Sequence, residues 1–253
     1  DAHPYLAAMT FLASLLPPWA FEGGTRETIR RLNEPHKKAQ LIEAIRDTFG
    51  HLDPADFWPR NEIVLPDPQS EFNHCRMHII SQKMRLQPAE ALIEILAQSG
   101  QRLFETIVLQ WIYSAEETLE LFHWPYTTVG ADGATSSLGY DLGPLTVHPR
   151  SWGTFPKIFN DYHKKSKQFS IEEVIRRMTG LAAAVVGLND RGTLQPKKKA
   201  DIVVFDPQKF TATATYADPH HYAEGVKYVW VNGRVVIEDG KHIGQRPGQV
   251  IRK

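Results

Sequence analysis

The chain has 253 residues, of which 42% are hydrophobic and 23% charged, a composition that is ordinary for a globular protein and argues against disorder. Its 29 Lys and Arg residues balance its 29 Asp and Glu residues, so the charge gives no reason to expect a nucleic acid or a membrane as partner. Cys75 is the only cysteine, which excludes an internal disulfide, and no apolar run reaches the ~18 residues of a membrane span. We expect a cytoplasmic protein.

Apolar residues at helical spacing predict three helices in the first hundred residues, over 25–32, 35–49 and 88–98. Thr25 is the predicted N-cap of the first helix, because its hydroxyl can accept a hydrogen bond from a helix amide. Residues 1–9 are expected to form a strand end and a loop. The segment 57–72 is rich in proline and aspartate, which predicts a loop around the short apolar run Ile63-Val64-Leu65.

The next predicted elements are a strand, a helix and a β-branched strand that enters a glycine turn, over 106–112, 115–122 and 127–133. An irregular stretch is expected up to Pro156, and a helix over 171–181. The chain then contains strands only, with one over 200–206 and a hairpin around Asn232-Gly233, a pair that favours a type I′ turn. Alternating strands and helices followed by strands alone predict part of an α/β barrel and then a small β unit.

Three groups of short motifs have an order and a spacing that point to one family. The first group comprises Asp1-Ala2-His3-Pro4-Tyr5, Leu16-Pro17-Pro18-Trp19-Ala20 and Glu22-Gly23-Gly24. The second comprises Val129-Gly130-Ala131-Asp132-Gly133, His148-Pro149-Arg150 and Trp152-Gly153-Thr154-Phe155. The third includes Met178-Thr179-Gly180-Leu181-Ala182, Ala200-Asp201-Ile202-Val203-Val204-Phe205-Asp206-Pro207, Asp218-Pro219-His220 and Arg246-Pro247-Gly248. Together they resemble the N-acyl-D-amino-acid deacylases (D-aminoacylases) of the amidohydrolase superfamily.

This resemblance implies an α/β fold: the C-terminal part of a metal-dependent (β/α)8 TIM barrel plus a small β-sandwich segment. Residues 1–190 would carry the seventh and eighth barrel strands with an insertion between them, and residues 191–253 would belong to the sandwich. A complete barrel needs about 250 residues by itself, and the family's first-strand His-x-His pair is absent from the sequence. We therefore expect the other zinc ligands to lie upstream, and the chain to associate with a missing N-terminal half or with its own copies.

Asp132 is the predicted catalytic residue and metal contact. In the resembled family the aspartate at this strand end touches the metal and handles the proton of the attacking water, whereas the alternative is a plain Asp-Gly turn. An ordinary carboxylate is too weak a base for bulk water by about 12 pKa units, and zinc lowers the pKa of bound water to about 7. We therefore expect the chain by itself to be inactive or nearly so.

Arg150, His3 and His148 are the predicted substrate-binding residues. The resemblance places Arg150 where the family holds the substrate α-carboxylate, a task that suits a guanidinium fork, although a surface arginine after a proline turn is the alternative. His3 stands where the family usually has tyrosine, and its imidazole can donate a similar hydrogen bond. His148 also fits a supporting or structural role, and Tyr5 fits a packed core position.

The remaining motifs are interpreted as ordinary structure. His74-Cys75-x-x-His78 has the spacing of metal ligands, but no second pair completes a four-ligand zinc site. His220-His221 is expected to be a solvated loop, and Lys197-Lys198-Lys199 an exposed turn. Trp152 either lines a pocket or packs in the core.

The predicted function is metal-dependent hydrolysis of the amide bond of small-molecule N-acyl-D-amino acids, giving a carboxylate and a D-amino acid. The preference for D substrates comes from the resemblance alone. One alternative is another amidohydrolase of the dihydroorotase or hydantoinase type, against which the Leu-Pro-Pro-Trp and His-Pro-Arg stretches argue. A second alternative is a non-catalytic fragment that needs an N-terminal half.

Overall fold

The computed structural model describes residues 1–135, 137–138 and 147–252. The chain divides into two compact units. The first unit comprises Asp1–Tyr5 and Ser114–Lys253, and the second unit comprises Leu6–Tyr113. Each unit contains helices and strands, so the predicted α/β class is confirmed. Within the described ranges, none of the helices has both the length and the apolar character that crossing a membrane requires.

The second unit is built around an antiparallel four-stranded sheet. Its strands are β1 (Ala8–Phe11), β2 (Asn61–Val64), β3 (Cys75–Arg76) and β4 (Ile107–Gln110), and they pair in the order β1-β4-β2-β3. Its α-helices are α1 (Thr25–Asn33), α2 (Pro35–Phe49), α3 (Pro54–Phe57), α4 (Met77–Met84) and α5 (Pro88–Ser99). Short 3-10 helices cover Leu12–Leu15, Pro18–Phe21, Trp58–Arg60 and Gly100–Glu105. Fully buried side chains from helices and sheet form one core, including Leu41, Ile45, Ile63, Leu92 and Val108.

The three helices predicted for the second unit are confirmed as α1, α2 and α5, but two local predictions are wrong. Thr25 is the first helical residue rather than the N-cap; Gly24 precedes it with a φ of 81°, and no side chain caps the helix. Ile63 and Val64 lie in the buried strand β2 and not in a loop. Their pairing with β4 outweighs the turn-forming residues around them, because β-branched side chains pack well in a buried sheet.

The first unit carries most of its helices between residues 115 and 185. They are α6 (Ala115–His123), α7 (Arg150–Ile158), a π-helix (Phe159–Lys165), α8 (Ile171–Met178) and α9 (Gly180–Val185). The strand predicted over 127–133 is reduced, among the described residues, to a parallel bridge between Val129 and Ala2. Two backbone hydrogen bonds hold this bridge, from the Ala2 amide to Thr128 and from the Gly130 amide to Ala2.

The prediction of an irregular stretch up to Pro156 is wrong from Arg150 onwards, where helix α7 begins. Part of that stretch lies outside the described residues. Pro156 sits inside the helix although it cannot donate to the carbonyl four residues earlier. The helix persists because it is held by packing on more than one side, as the buried side chains of Trp152, Thr154 and Ile158 show. The helix predicted over 171–181 is also interrupted, at Thr179, where φ is −132° and ψ is −88°.

The C-terminal part of the first unit is an antiparallel sheet. Its strands are β5 (Ile202–Phe205), β6 (Val226–Val231), β7 (Arg234–Glu238) and β8 (Lys241–His242), and they pair in that order. The predicted hairpin is confirmed: Asn232 and Gly233 have φ angles of 50° and 78°, as a type I′ turn requires. The division predicted between residues 190 and 191 stays a prediction.

Candidate functional site

The centre of the candidate site is an ion pair between Asp132 and Arg150, both in the first unit. Arg150 Nη1 lies 2.8 Å from Asp132 Oδ2, and the side chains are 7% and 70% exposed respectively. Asp132 has a φ of 46° in the irregular segment that follows the bridge at Val129. A Cβ at the neighbouring Gly133 would come within 2.8 Å of the Ser151 backbone, so only glycine permits this close approach. A buried guanidinium therefore holds an exposed carboxylate at the start of α7.

The short His148-Pro149-Arg150 segment orients the guanidinium. His148 is fully buried, and its Nδ1 accepts a hydrogen bond from the Arg150 backbone amide at 3.0 Å. The Tyr5 hydroxyl donates to the Pro149 carbonyl at 3.2 Å. Because Nδ1 accepts a hydrogen bond, the neutral imidazole carries its proton on Nε2. Two hydrogen bonds therefore hold the segment, one within it between Arg150 and His148, and one from Tyr5, which is distant in the sequence.

His3 lies beside the same segment, with its ring centroid 5.9 Å from that of His148. Its Nδ1 accepts a hydrogen bond from the Tyr5 backbone amide at 3.2 Å. Burial lowers the pKa of His3 below its usual value, and the positive charge of Arg150 lowers it further, while Asp132 acts in the opposite direction. His3 therefore stays neutral to a lower pH than an ordinary histidine.

An aromatic residue that the sequence did not single out completes the surroundings of His148. The ring of Tyr216, in the loop between β5 and β6, lies 5.0 Å from His148 and 6.0 Å from Tyr5 between centroids, both edge to face. The Tyr5 ring lies 5.2 Å from His148, also edge to face. Tyr216 lies two residues before the Asp218-Pro219-His220 motif, in a loop whose sequence has no helical or strand periodicity. Only that motif therefore indicated that the region belongs to the family. The four predicted site residues are thus brought together, and Tyr5 and Tyr216 join them.

The Tyr5 ring has a charged neighbour on α7. The Lys157 ammonium lies 5.6 Å from the centre of the ring and forms an ion pair with Asp161 of the π-helix. Burial raises the pKa of Asp161, but the hydrogen bonds from Lys157 and Lys165 outweigh that effect and lower the pKa overall. Burial also raises the pKa of the Tyr5 hydroxyl far above its ordinary value, which keeps it a hydrogen-bond donor.

The motifs interpreted as ordinary structure do not join this cluster. His74 Nδ1 lies 3.0 Å from Glu62 Oε1 in the second unit, and the Cys75 thiol donates to the Glu71 carbonyl. His221 pairs with Asp218 at 2.7 Å. The 197–199 turn is largely exposed. Trp152 is 9% exposed and packs against the rings of His220 and Tyr222, which fits a core position.

The metal requirements of the site are met only in part by the described residues. The exposed Asp132 carboxylate is chemically suited to be one zinc ligand, since zinc accepts carboxylate oxygens. A protein zinc site needs three or four such ligands. In the part of the chain that the structure describes, no group of three or more His, Cys, Asp or Glu side chains is arranged to hold a metal ion.

The comparison with protein families decides the family. The Amidohydrolase family profile matches residues 61–237. The chain belongs to the amidohydrolase family. An N-acyl-D-aspartate deacylase of Alcaligenes xylosoxydans xylosoxydans is 39% identical to this amidohydrolase chain over 162 residues, which cover 64% of the chain and 30% of that relative. A D-aminoacylase of the same organism is 33% identical over 169 residues, which cover 64% of the chain and 34% of that relative.

Solved structures give the same result. An N-acyl-D-glutamate deacylase from Bordetella bronchiseptica, solved with zinc and a phosphonate inhibitor that mimics the tetrahedral intermediate, superposes with a TM-score of 0.66. It is 26% identical, and the match covers 100% of this chain and 42% of that one. The resemblance to the D-aminoacylases is therefore confirmed. The chain spans about a third of the length of the two curated relatives, 30% and 34%.

Proposed function

We propose that the complete protein hydrolyses the amide bond of N-acyl-D-amino acids, giving a carboxylate and a D-amino acid, and that this chain carries part of its active site. The observation that carries the proposal is the 2.8 Å pair in which buried Arg150 presents the exposed carboxylate of Asp132. The pair lies in a chain whose relatives are named as deacylases of N-acyl-D-aspartate and N-acyl-D-glutamate.

Asp132 acts as the proton carrier in this mechanism. A bound zinc ion would supply water that is acidic enough to deprotonate near neutral pH and would stabilise the developing oxyanion. Asp132 holds the proton taken from the attacking water and passes it to the nitrogen of the departing amine. Its 70% exposed side chain is accessible for both transfers. Asp132 would supply one of the metal ligands, and the other ligands would come from outside the described residues.

Arg150 and His3 bind the substrate α-carboxylate. A guanidinium pairs with a carboxylate through two parallel hydrogen bonds, which fixes both position and orientation. His3 adds one hydrogen bond, and its lowered pKa means that this bond comes from a neutral imidazole near neutral pH. His148 contributes by supporting Arg150, because its ring is fully buried and its Nδ1 receives the Arg150 amide.

The architecture that goes with this function is the C-terminal part of a (β/α)8 barrel, with the β5–β8 sheet as part of a β-sandwich. The parallel bridge between Ala2 and Val129 supports adjacent parallel barrel strands at these positions, with Asp132 directly after the second one. Residues at this end of a barrel strand are those that form active sites in such folds. Pairing with an N-terminal half, or with copies of the chain, would supply the remaining strands.

The test is a deacylation assay of the complete enzyme with zinc, using N-acetyl-D-aspartate, N-acetyl-D-glutamate and their L enantiomers. We expect D-selective release of the amino acid, and a loss of about 10²- to 10⁴-fold in kcat for Asp132→Asn, the range for removing a general acid–base group. Asp239→Asn is the matched control, because Asp239 has the same φ of 46° in the same unit.

Two results would contradict the proposal. Full activity of Asp132→Asn would remove this residue from the chemistry. Hydrolysis of dihydroorotate or a hydantoin without any deacylation would instead establish the cyclic-amide alternative.

A further inference from the structure

The surroundings of His148 assign a role to Tyr216 that goes beyond packing. His148 is fully buried, and aromatic rings lie against it at centroid distances of 5.2 Å for Tyr5 and 5.0 Å for Tyr216. Both rings meet the imidazole edge to face, an arrangement that restricts how it can turn. Because His148 Nδ1 accepts from the Arg150 amide, the orientation of the imidazole is coupled to the first residue of α7.

A cavity also borders the Tyr216 ring. It has a volume of about 450 Å³, and Tyr5, Pro149, Lys157 and Tyr216 are among its lining residues. The half-buried Tyr216 ring therefore contacts the buried imidazole and also lines this cavity. Loss of the ring would open the space beside His148 to the cavity and would admit water to the hydrogen bond that orients Arg150.

We propose that Tyr216 is a positioning residue of the candidate site: its ring holds the His148 imidazole against the Arg150 backbone and so fixes the guanidinium that faces Asp132. In this role Tyr216 acts through His148 and not on the substrate. The loop between β5 and β6 thereby contributes to the geometry of a site whose predicted residues are His3, Asp132, His148 and Arg150. The kinetic part of this inference rests on the proposed deacylase function.

The kinetic test uses Tyr216→Ala and Tyr216→Phe in the complete enzyme. We expect Tyr216→Ala to raise KM on the order of tenfold to a hundredfold, since a misplacement of about 1 Å can cost 10²-fold. Tyr216→Phe keeps the ring and should stay close to wild type. Phenol added to Tyr216→Ala should lower KM again by filling the hole, as apolar cavities bind small aromatic molecules. Tyr228→Ala, which removes a tyrosine of the same unit whose hydroxyl bonds to Asp239, is the control for general destabilisation.

A double-mutant cycle separates positioning from structural damage. In an Arg150→Lys background, Tyr216→Ala should raise KM much less than it does in wild type, because residues that act through one another are not additive. An equal increase in both backgrounds, or an unchanged KM for Tyr216→Ala, would overturn the inference. Wild-type enzyme without deacylase activity would overturn the proposed function instead.

A second readout does not depend on activity. The imidazole ¹⁵N spectrum of His148 should show one tautomer in wild type, with Nδ1 unprotonated, as the hydrogen bond from the Arg150 amide requires. Tyr216→Ala should show averaging between tautomers, and phenol should restore the single form. A fixed tautomer in Tyr216→Ala would contradict the positioning role whatever the enzyme assays give.

Discussion

The two units each contain a carboxylate that faces an arginine, but the two carboxylates differ in how accessible their oxygens are to a ligand. In the second unit, Glu62 is 8% exposed, and its oxygens lie 3.0 Å from His74 Nδ1 and 2.9 Å from Trp111 Nε1. Arg76 is 3.5 Å from the same carboxylate and stacks on the Trp111 ring. In the first unit, Asp132 is exposed and its arginine is buried.

This difference separates a carboxylate whose partners lie within the fold from one that is accessible to a ligand. Three side chains surround the Glu62 carboxylate, so its charge is used within the fold. Burial raises the pKa of Glu62, but the hydrogen bonds from His74 and Trp111 and the charge of Arg76 outweigh it and lower the pKa overall. Asp132 instead presents its carboxylate to solvent from a backbone position with a positive φ, where it is accessible to protons and to a metal ion. We therefore expect mutations at the two places to affect different properties.

Replacing Arg150 by lysine tests the carboxylate of the candidate site and should have a larger effect than the changes at Glu62 and His3. A lysine keeps the charge but loses the bidentate fork, and a hydrogen bond to a charged group contributes about 1.5–3 kcal/mol. Each 1.4 kcal/mol corresponds to a factor of about ten, so KM for an N-acyl-D-amino acid should rise about tenfold to a hundredfold. Steady-state kinetics of the complete enzyme measure this change.

The matched control is Arg191→Lys, at an arginine of the same unit that pairs with Asp201. A lower kcat with unchanged KM in Arg150→Lys would show that Arg150 serves Asp132 only and does not bind the substrate carboxylate.

Replacing Glu62 by glutamine tests the other half of the comparison. The amide leaves the partners of a buried carboxylate incompletely satisfied, which should lower the free energy of unfolding of the second unit by about 2 kcal/mol. Because the pKa of Glu62 is lower in the folded state than in the unfolded chain, the unfolded state binds more protons in acid. The stabilisation is therefore complete above the ordinary carboxyl pKa of 4.5 and is lost as the pH falls through the folded value.

Thermal unfolding of wild type and Glu62→Gln across this pH range checks both statements. The difference between the two proteins should shrink on acidification, with kcat and KM unchanged at neutral pH. A difference that is constant with pH would show that the charge of Glu62 is not what stabilises the unit.

Local sequence patterns predicted most of the elements, and the failures have identifiable causes. The Asn232-Gly233 hairpin and α5 were predicted because their signals depend on a few adjacent residues. Strand β2 was missed because its stability comes from pairing with β4, which the turn-rich sequence around Ile63 conceals. Helix α7 was missed because Pro156 normally ends a helix, whereas the burial of most of its side chains keeps this helix intact.

The candidate site was predictable to the extent that its residues lie in motifs. His3, Asp132, His148 and Arg150 were named from short family-like stretches, and the structure brings them together, although their roles stay predictions. Tyr216 could not be found in this way. Its contribution depends on a contact with His148, which is distant in the sequence, and nothing in the loop sequence indicates that contact.

Replacing His3 by glutamine gives the smallest expected effect and tests whether the buried imidazole of the candidate site is neutral. Burial and Arg150 lower the pKa of His3, so the unfolded chain binds a proton more readily than the folded protein below pH 6.5. Stability of the first unit should therefore fall as the pH drops from 6.5 towards the lowered pKa, and then change no further from this cause.

His3→Gln cannot take up that proton, so its stability should decline less over the same interval, as measured by thermal unfolding between about pH 8 and pH 5. The exposed histidine of the same unit, His242, provides the matched control variant His242→Gln. If His3→Gln and wild type decline in parallel, His3 is not held neutral by its surroundings. The imidazole could then bind the substrate carboxylate as a cation. The surroundings of Asp132 would in that case differ from those of Glu62 in their charge as well as in the exposure of the carboxylate.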